Sequence, residues 1–183
     1  EALKTVIENI PSNAIKISTT GMLSRELNEI NLIKKNGYNT FMCVGGMGHA
    51  ISIASGIALS KNKKKIYCLD GDGSFLMHLG ASTTSAKLNN IIHIVFNNKS
   101  HDSVGGHETC APNLKLKKIA KDFGYKNCRL AKSSKEIKKI LKKSMSIKKN
   151  LFLEIICKQG NRKNLTRPKG NLINYKEKFI KIV

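Results

Sequence analysis

Tryptophan is absent from this 183-residue chain, aromatic residues make up 5% of it, and only four of its 33 cationic residues are Arg. Proteins that read nucleic-acid grooves lean on Arg and stacked aromatic rings, so that class is disfavoured despite a net charge of +21. Acidic residues are scarce as well, 12 against 33 Lys and Arg, an excess compatible with nucleic acid, an anionic membrane or an anionic substrate. The 29 Lys stand beside 18 Asn. Both have codons rich in A and T, which makes genome composition a sufficient source for much of the bias. No apolar stretch approaches the roughly 20 residues a membrane span requires. No basic, apolar, small-residue export signal is visible either. The chain opens on Glu1 rather than Met and runs straight into helix-like sequence, which reads as a piece cut from a longer protein. The five cysteines, at 43, 68, 110, 128 and 157, include no C-x-x-C pair and are odd in number, so free thiols in a reducing compartment such as the cytoplasm are expected. His101, His107 and Cys110 lie near one another, but their spacing matches no common zinc pattern.

What remains is an ordinary single-domain length with 40% hydrophobic residues, enough for a core. Apolar runs predict strands at 14–18, 40–44, 65–70, 91–97, 126–130 and 151–157. Amphipathic spacing predicts helices at 24–30, 48–60, 75–88, 114–123 and 134–145. Runs such as 91–96 are apolar on both faces, as in central strands covered by helices on each side. The expected fold class is therefore α/β, a mostly parallel sheet with helices on both faces. Gly37, Gly124 and Gly160 punctuate the elements, and no internal repeat is present. Lys-rich stretches at 61–65 and 135–149 look like nucleic-acid handles, but in the second Ile137, Ile140, Leu141 and Met145 keep helical spacing. An amphipathic helix with a solvated basic face is the simpler account. Residues 1–158 form the expected domain. Residues 159–183, polar and containing Pro168, read as a surface tail ending in a short helix near 175–182.

The informative segment runs from 44 to 110. In open parallel sheets, ligands bind at the carboxyl ends of strands, where helix N-termini present free amides to anions. Three loops fall there: GGMGH at 45–49, GDGS at 71–74 and NNKSHDSVGG at 97–106. In GDGS the glycines permit a tight turn, so that Asp72 projects a carboxylate beside amides suited to phosphate. A carboxylate next to a phosphate site points to Mg²⁺, a hard ion that takes few protein oxygens together with phosphate oxygens. Asn98, 26 residues after Asp72, is one helix and one strand further on and offers an amide oxygen at the same sheet edge. A dinucleotide fingerprint fails at Ile51 and Leu76, and no Walker A ending is present.

GDG followed some 25 residues later by NN, with GGMGHA ahead of it, resembles the motif of the thiamine diphosphate enzymes. TTGMLSREL at 19–27, MGHAISIASGIAL at 47–59, CLDGDGSFLMHLGA at 68–81 and NNKSHDSVGGHET at 97–109 narrow the likeness to the branch that decarboxylates phosphonopyruvate, with the sulfopyruvate decarboxylases as nearest relatives. Lys99 and His107 depart from the branch, which commonly has Gly and Gln at these places. The resemblance implies the diphosphate-domain fold and the cofactors thiamine diphosphate and Mg²⁺. It also implies that Asp72, the Asn98 side chain and the Ser100 carbonyl hold the metal, that Gly73 and Ser74 meet the diphosphate, and that Gly45 and Gly46 belong to the loop cupping the cofactor. Met47 would prop the cofactor in its bent shape, or else it fills the core.

The implied reaction is the non-oxidative decarboxylation of a small anionic 2-keto acid, the electrons resting in the cofactor. His101 and Arg25 are the expected contacts to its anionic groups, with Lys99 a third candidate. Each has a plainer role open to it: His101 bracing its loop through Asp102, Arg25 pairing with Glu29, Lys99 as one lysine among many. His49 and His78 lie near enough in sequence to reach the site, although His78 is expected in mid-helix. The other half of such a site sits on a pyrimidine-binding domain, which this length cannot hold. The chain is therefore expected to be inactive alone and to work in a homo- or hetero-oligomer or a longer protein. A cofactor-binding module without activity and a basic nucleic-acid binder are the competing readings.

Overall fold

The computed structural model describes residues 1–34 and 39–183; the expected break at Gly37 lies outside the described residues. Every strand of the main sheet is parallel to its neighbours, and the order is β2-β1-β3-β4-β8-β7. Those strands are β1 (Ile15–Ser18), β2 (Thr40–Met42), β3 (Ile66–Gly71), β4 (Ile91–Asn97), β7 (Asn127–Ala131) and β8 (Leu151–Ile156). A two-stranded hairpin, β5 (Ser100–His101) and β6 (His107–Glu108), follows β4. Each of the six expected strands is present within a few residues. The hairpin, two residues to a strand, is below what periodicity can register.

Side chains alternate along each strand, so a strand buried on both faces feeds two separate cores. Ile66 and Cys68 of β3 enter one cluster, and Tyr67 and Leu69 enter the other. The first cluster is covered by α3 (Ala50–Ser60), α6 (Leu116–Asp122) and α8 (Leu172–Ile180). The second is covered by α1 (Ala2–Glu8), α2 (Met22–Lys34) and α7 (Ser134–Ser146). On α7 the lysines face water while Ile137 and Leu141 are buried, as the helical spacing predicts. Met145 is the exception, since Ser144 takes the next inward position and Met145 is 49% exposed. Ser133 caps the start by accepting from the Glu136 amide at 3.3 Å, and Lys65 donates to the Ser144 carbonyl and to that of Met145, 3.0 Å away. Among the described residues no helix is long and apolar enough to cross a membrane.

Two expectations need correction. The single helix at 75–88 is two short ones, α4 (Asp72–Met77) and α5 (Ala81–Ser85), with His78 capping the first rather than sitting in mid-helix. The C-terminal segment is largely exposed, yet it crosses from the end of β8 to the opposite sheet edge. There Phe179 of α8 is 5% exposed and stacks on Phe41 at 5.5 Å.

Topology places the site. From β1 the chain steps outward to β2 and then returns to β3 on the other side of β1, which makes the β1/β3 boundary the switch point. Loops leaving adjacent strands in opposite directions open a crevice at that carboxyl edge.

One buried charge tests the packing. Lys16 of β1 is 2% exposed and donates to the Ala14 carbonyl at 3.0 Å. Burial, aided by repulsion from Lys34, lowers its amine to about 8 from an ordinary 10.5. The unfolded chain therefore holds this proton after the folded protein has released it, and stability gains from this group as pH rises from 8 to 10.5. Lys16→Met is expected to raise stability by about 1–3 kcal/mol at pH 7. Urea unfolding should show that advantage shrinking toward pH 10; an advantage independent of pH would mean that charge burial is not its source.

Candidate functional site

A cleft of about 510 Å³ opens at the switch point. Its walls come from the ends of β1 (Thr19 to Leu23), β3 (Gly71 to Ser74), β4 (Asn98 and the hairpin) and β8 (Ile155 to Lys158), with Met47 from the loop before α3. Three of these loops are tied through one hydroxyl. Ser74 Oγ is 2.7 Å from Thr19 Oγ1 and accepts from the Gly48 amide at 3.0 Å. Gly48 is required to be glycine twice over: its φ is +84°, and a Cβ there would lie 2.2 Å from His78 Nδ1. Gly73 is under a similar constraint, since a Cβ would lie 2.3 Å from His101 Cε1.

Asp72 is 1% exposed at the first turn of α4. Its Oδ2 accepts from Thr109 Oγ1 at 2.5 Å. Burial pushes its carboxyl above the ordinary range, against hydrogen bonds from the Thr109 hydroxyl and the amides of Asp72, Asn98 and Gly73, which favour the charged form. No Lys, Arg or His forms an ion pair with it among the described residues. Asp72 and Asn98 both line the cleft, and it is the backbone amide of Asn98 that is among the groups favouring the charged carboxylate. The Asn98 side chain is oriented by its neighbours: Nδ2 donates to Asp102 Oδ2 at 2.7 Å, and Oδ1 accepts from the Ser100 amide at 3.2 Å. Ser100 is buried at the base of the hairpin and lines the same cleft.

The cleft is acidic on a basic protein. Glu1, Glu26, Asp72 and Asp102 line it, against Lys132 and Lys158. An oxygen-rich donor set with an uncompensated buried carboxylate fits a divalent hard cation, and it would repel a diphosphate arriving without one.

Other expected residues are placed less centrally. Met47, Gly71, Gly73, Ser74 and His101 line the cleft, whereas Gly45, Gly46 and Arg25 do not. Arg25 does not pair with Glu29 either, because Glu29 is taken by Arg162 of the C-terminal segment. Asp102 bonds Asn98 and the Gly160 amide, so the bracing role expected for it falls on those two groups and not on His101. His49 and His78 stack on each other with centroids 4.2 Å apart and stay out of the lining. Lys99 holds a left-handed backbone with φ of 62°, a conformation that costs Gly nothing, and its carbonyl accepts from the Thr109 amide at 3.1 Å. His101 and His107 face each other across the hairpin. Among the described residues, however, the one set of His, Cys and acidic groups close enough to share an ion is Cys68, Asp70 and His93, all buried.

Sequence reasoning missed Thr19, Thr109 and the support beneath the GDG turn. Asp70 Oδ1 accepts from the Gly71 amide at 3.0 Å, and its Oδ2 lies 3.3 Å from His93 Nε2. His93 Nδ1 is 3.0 Å from the Tyr125 hydroxyl, which is 2.6 Å from Ser85 Oγ. The only sequence signal was a polar pair, Asp70 and His93, inside otherwise apolar strands. The two asparagines of NN also divide their labour, since Asn97 is the last residue of β4 and Asn98 lies in the loop beyond it. Asn97 is 3% exposed, and its Nδ2 donates to Glu154 Oε1 at 2.8 Å. Glu154 Oε2 in turn accepts from the Lys117 amide in the first turn of α6.

This division is measurable. Asn97→Ala leaves the Glu154 oxygen buried without its donor and is expected to cost about 1–3 kcal/mol in urea unfolding. Asn98→Ala, at the half-buried cleft wall, should cost less than half as much. The reverse order would show the two roles to be exchanged.

The chain matches the family described as "Thiamine pyrophosphate enzyme, C-terminal TPP binding domain" over residues 19–155. It is 31% identical to a phosphonopyruvate decarboxylase of Streptomyces viridochromogenes over 92% of this chain and 42% of that protein. It is 35% identical to a sulfopyruvate decarboxylase subunit beta of Methanocaldococcus jannaschii over 68% of this chain and 65% of that subunit. The chain thus spans about two-fifths of the length of the Streptomyces relative. In fold it is similar to benzoylformate decarboxylase from Polynucleobacter necessarius, with a TM-score of 0.70 at 17% identity, covering 88% of this chain and 33% of that one. The parallel sheet, the switch-point cleft and the extent of these matches place the chain in the thiamine pyrophosphate enzyme family, as a C-terminal TPP-binding domain.

Proposed function

We propose that this chain is the diphosphate- and Mg²⁺-holding part of an enzyme that decarboxylates 3-phosphonopyruvate to phosphonoacetaldehyde and carbon dioxide. The observation that carries the reading is that the buried Asp72 carboxylate lines one acidic cleft at the switch point together with Asn98 and Ser100. Asp72 and the Asn98 side-chain oxygen would hold the metal with the Ser100 carbonyl, while Gly73 and Ser74 lie where a diphosphate would be received. Met47, which lines the cleft, would prop the cofactor in its bent shape. Bound thiamine diphosphate supplies the electron sink that a 2-keto acid needs in order to lose carbon dioxide. His101, held against Gly73, is the residue of this chain assigned to the anionic end of the substrate. Arg25, outside the lining, is left without that role.

A pyrimidine-binding domain is the implied partner, on the same polypeptide or on a second subunit. Exposed apolar side chains around the carboxyl edge, Val44 at 57%, Met77 at 53% and Val104 at 66%, suit a surface that another domain covers. The second reading is a sulfopyruvate decarboxylase beta subunit. It draws on the 35% identity to such a subunit, which is itself a separate chain.

Aldehyde release from 3-phosphonopyruvate and from 3-sulfopyruvate by the complete protein decides between the two, and the phosphonate is expected to be turned over faster. Asp72→Asn should weaken Mg²⁺ binding at saturating thiamine diphosphate by about a hundredfold without loss of the fold. Calorimetry that finds unchanged Mg²⁺ affinity would remove Asp72 from the metal site. Residues 1–183 alone should show no turnover; full activity from them would sink the half-site reading.

A further inference from the structure

Asp102 connects two parts of the chain that are 58 residues apart. Its Oδ2 accepts from Asn98 Nδ2 at 2.7 Å, which fixes the turn of the Asn98 amide and so the position of its Oδ1, the acceptor of the Ser100 amide at 3.2 Å. Its Oδ1 accepts from the Gly160 amide at 3.3 Å. Gly160 belongs to the segment between β8 and α8 that crosses the cleft, and Lys158, Gly160, Asn161 and Leu165 form part of the cleft wall. The same segment is fastened to α2 by the Arg162–Glu29 ion pair. Lys158 of this segment stands in the lining beside the carboxylates there. Asp102 is the point where the docked segment and the Asn98 loop share one carboxylate.

We propose that Asp102 is a positioning residue that couples docking of the 157–171 segment to the presentation of the Asn98 oxygen. The proposal rests on the reading of Asn98 as a metal ligand. Both Asp102 oxygens are in use, one on each side, so the docked segment holds the carboxylate where Asn98 needs it. A lifted segment releases one oxygen and frees the side chain to turn away. By reciprocity, an ion held by Asn98 favours the docked segment.

The test uses the complete protein with its pyrimidine-binding domain, as wild type, Asp102→Ala, Asp102→Asn and Asp102→Glu. All four are checked for cooperative thermal unfolding. Trypsin cuts after Lys and Arg, so cleavage within 158–169 reads segment docking, with and without Mg²⁺ and thiamine diphosphate. Calorimetry with Mg²⁺ at saturating thiamine diphosphate reads the ligand loop. Without ligands, Asp102→Ala should be cut several-fold faster than wild type, an outcome independent of the metal assignment. Ligands should slow cleavage of wild type several-fold and leave Asp102→Ala unaffected. Asp102→Asn has one acceptor oxygen for two donors and should bind Mg²⁺ about tenfold more weakly, with Asp102→Glu recovering part of the loss. Wild-type Mg²⁺ affinity in Asp102→Ala and Asp102→Asn, or equal ligand protection in all four proteins, overturns the coupling and leaves the metal assignment standing. A wild type that binds no Mg²⁺ overturns both.

Discussion

A carboxylate held out of water without a cation is the constraint around which this molecule is arranged. Asp72 is buried, its protonation is favoured by that burial, and the groups bonded to it are all neutral donors. In a chain with 33 Lys and Arg, a cationic partner would be easy to provide, and among the described residues none is in ion-pair contact. The amides of Asp72, Gly73 and Asn98 and the Thr109 hydroxyl favour the charged form against that burial. A carboxylate in such surroundings, with oxygen donors beside it, fits a hard divalent ion.

The rest of the fold makes the carboxylate's position reproducible. A parallel sheet supplies four loop ends at one edge, and each is locked by a contact that would not survive small changes. Gly48 and Gly73 are closed against imidazole rings, Ser74 joins three loops, and the Asp70–His93–Tyr125–Ser85 chain fixes the GDG turn from inside the core. Burial drives the Tyr125 hydroxyl far above its ordinary range, so it stays protonated and acts purely as a hydrogen-bonding link. Rigid support of this kind is what metal-ligand geometry needs, because orientation of the ligands contributes as much as their identity.

The readable parts of this structure are those with a period or a spacing. Strands 91–97 and 151–156 are largely apolar runs legible almost to the residue, and the GDG and NN motifs supply Asp72 and Asn98, which line one cleft. What escaped is what depends on direction in space. Arg25 has the right chemistry, but a helix turns each successive side chain by about 100°, and Met22, Leu23 and Glu26 take the cleft-facing positions instead. The break at His78 has no proline or cap signal, since Gly80 alone does not end a helix. Asn97 and Asn98 look equivalent in the sequence, but the end of β4 falls between them and separates the one bonded to Glu154 from the one that lines the cleft. Phe179 is a single aromatic residue in a polar tail, too little pattern to announce its place in the core.

The net charge of +21 invites the inference that cations recruit the anionic cofactor, and the distribution of charge argues otherwise. Among the described residues Lys132 and Lys158 are the lysines of the cleft lining, against four carboxylates, while the lysines of α7 face solvent on the far side of its buried stripe. The lysines outside the lining contribute at most a long-range attraction that salt screens within about 10 Å. The segment between β8 and α8 adds one cation to that lining, Lys158, while its Arg162 pairs with Glu29 of α2 outside it. Basicity in this chain is mostly surface composition, and the chemistry lies in the few acidic and amide oxygens it surrounds.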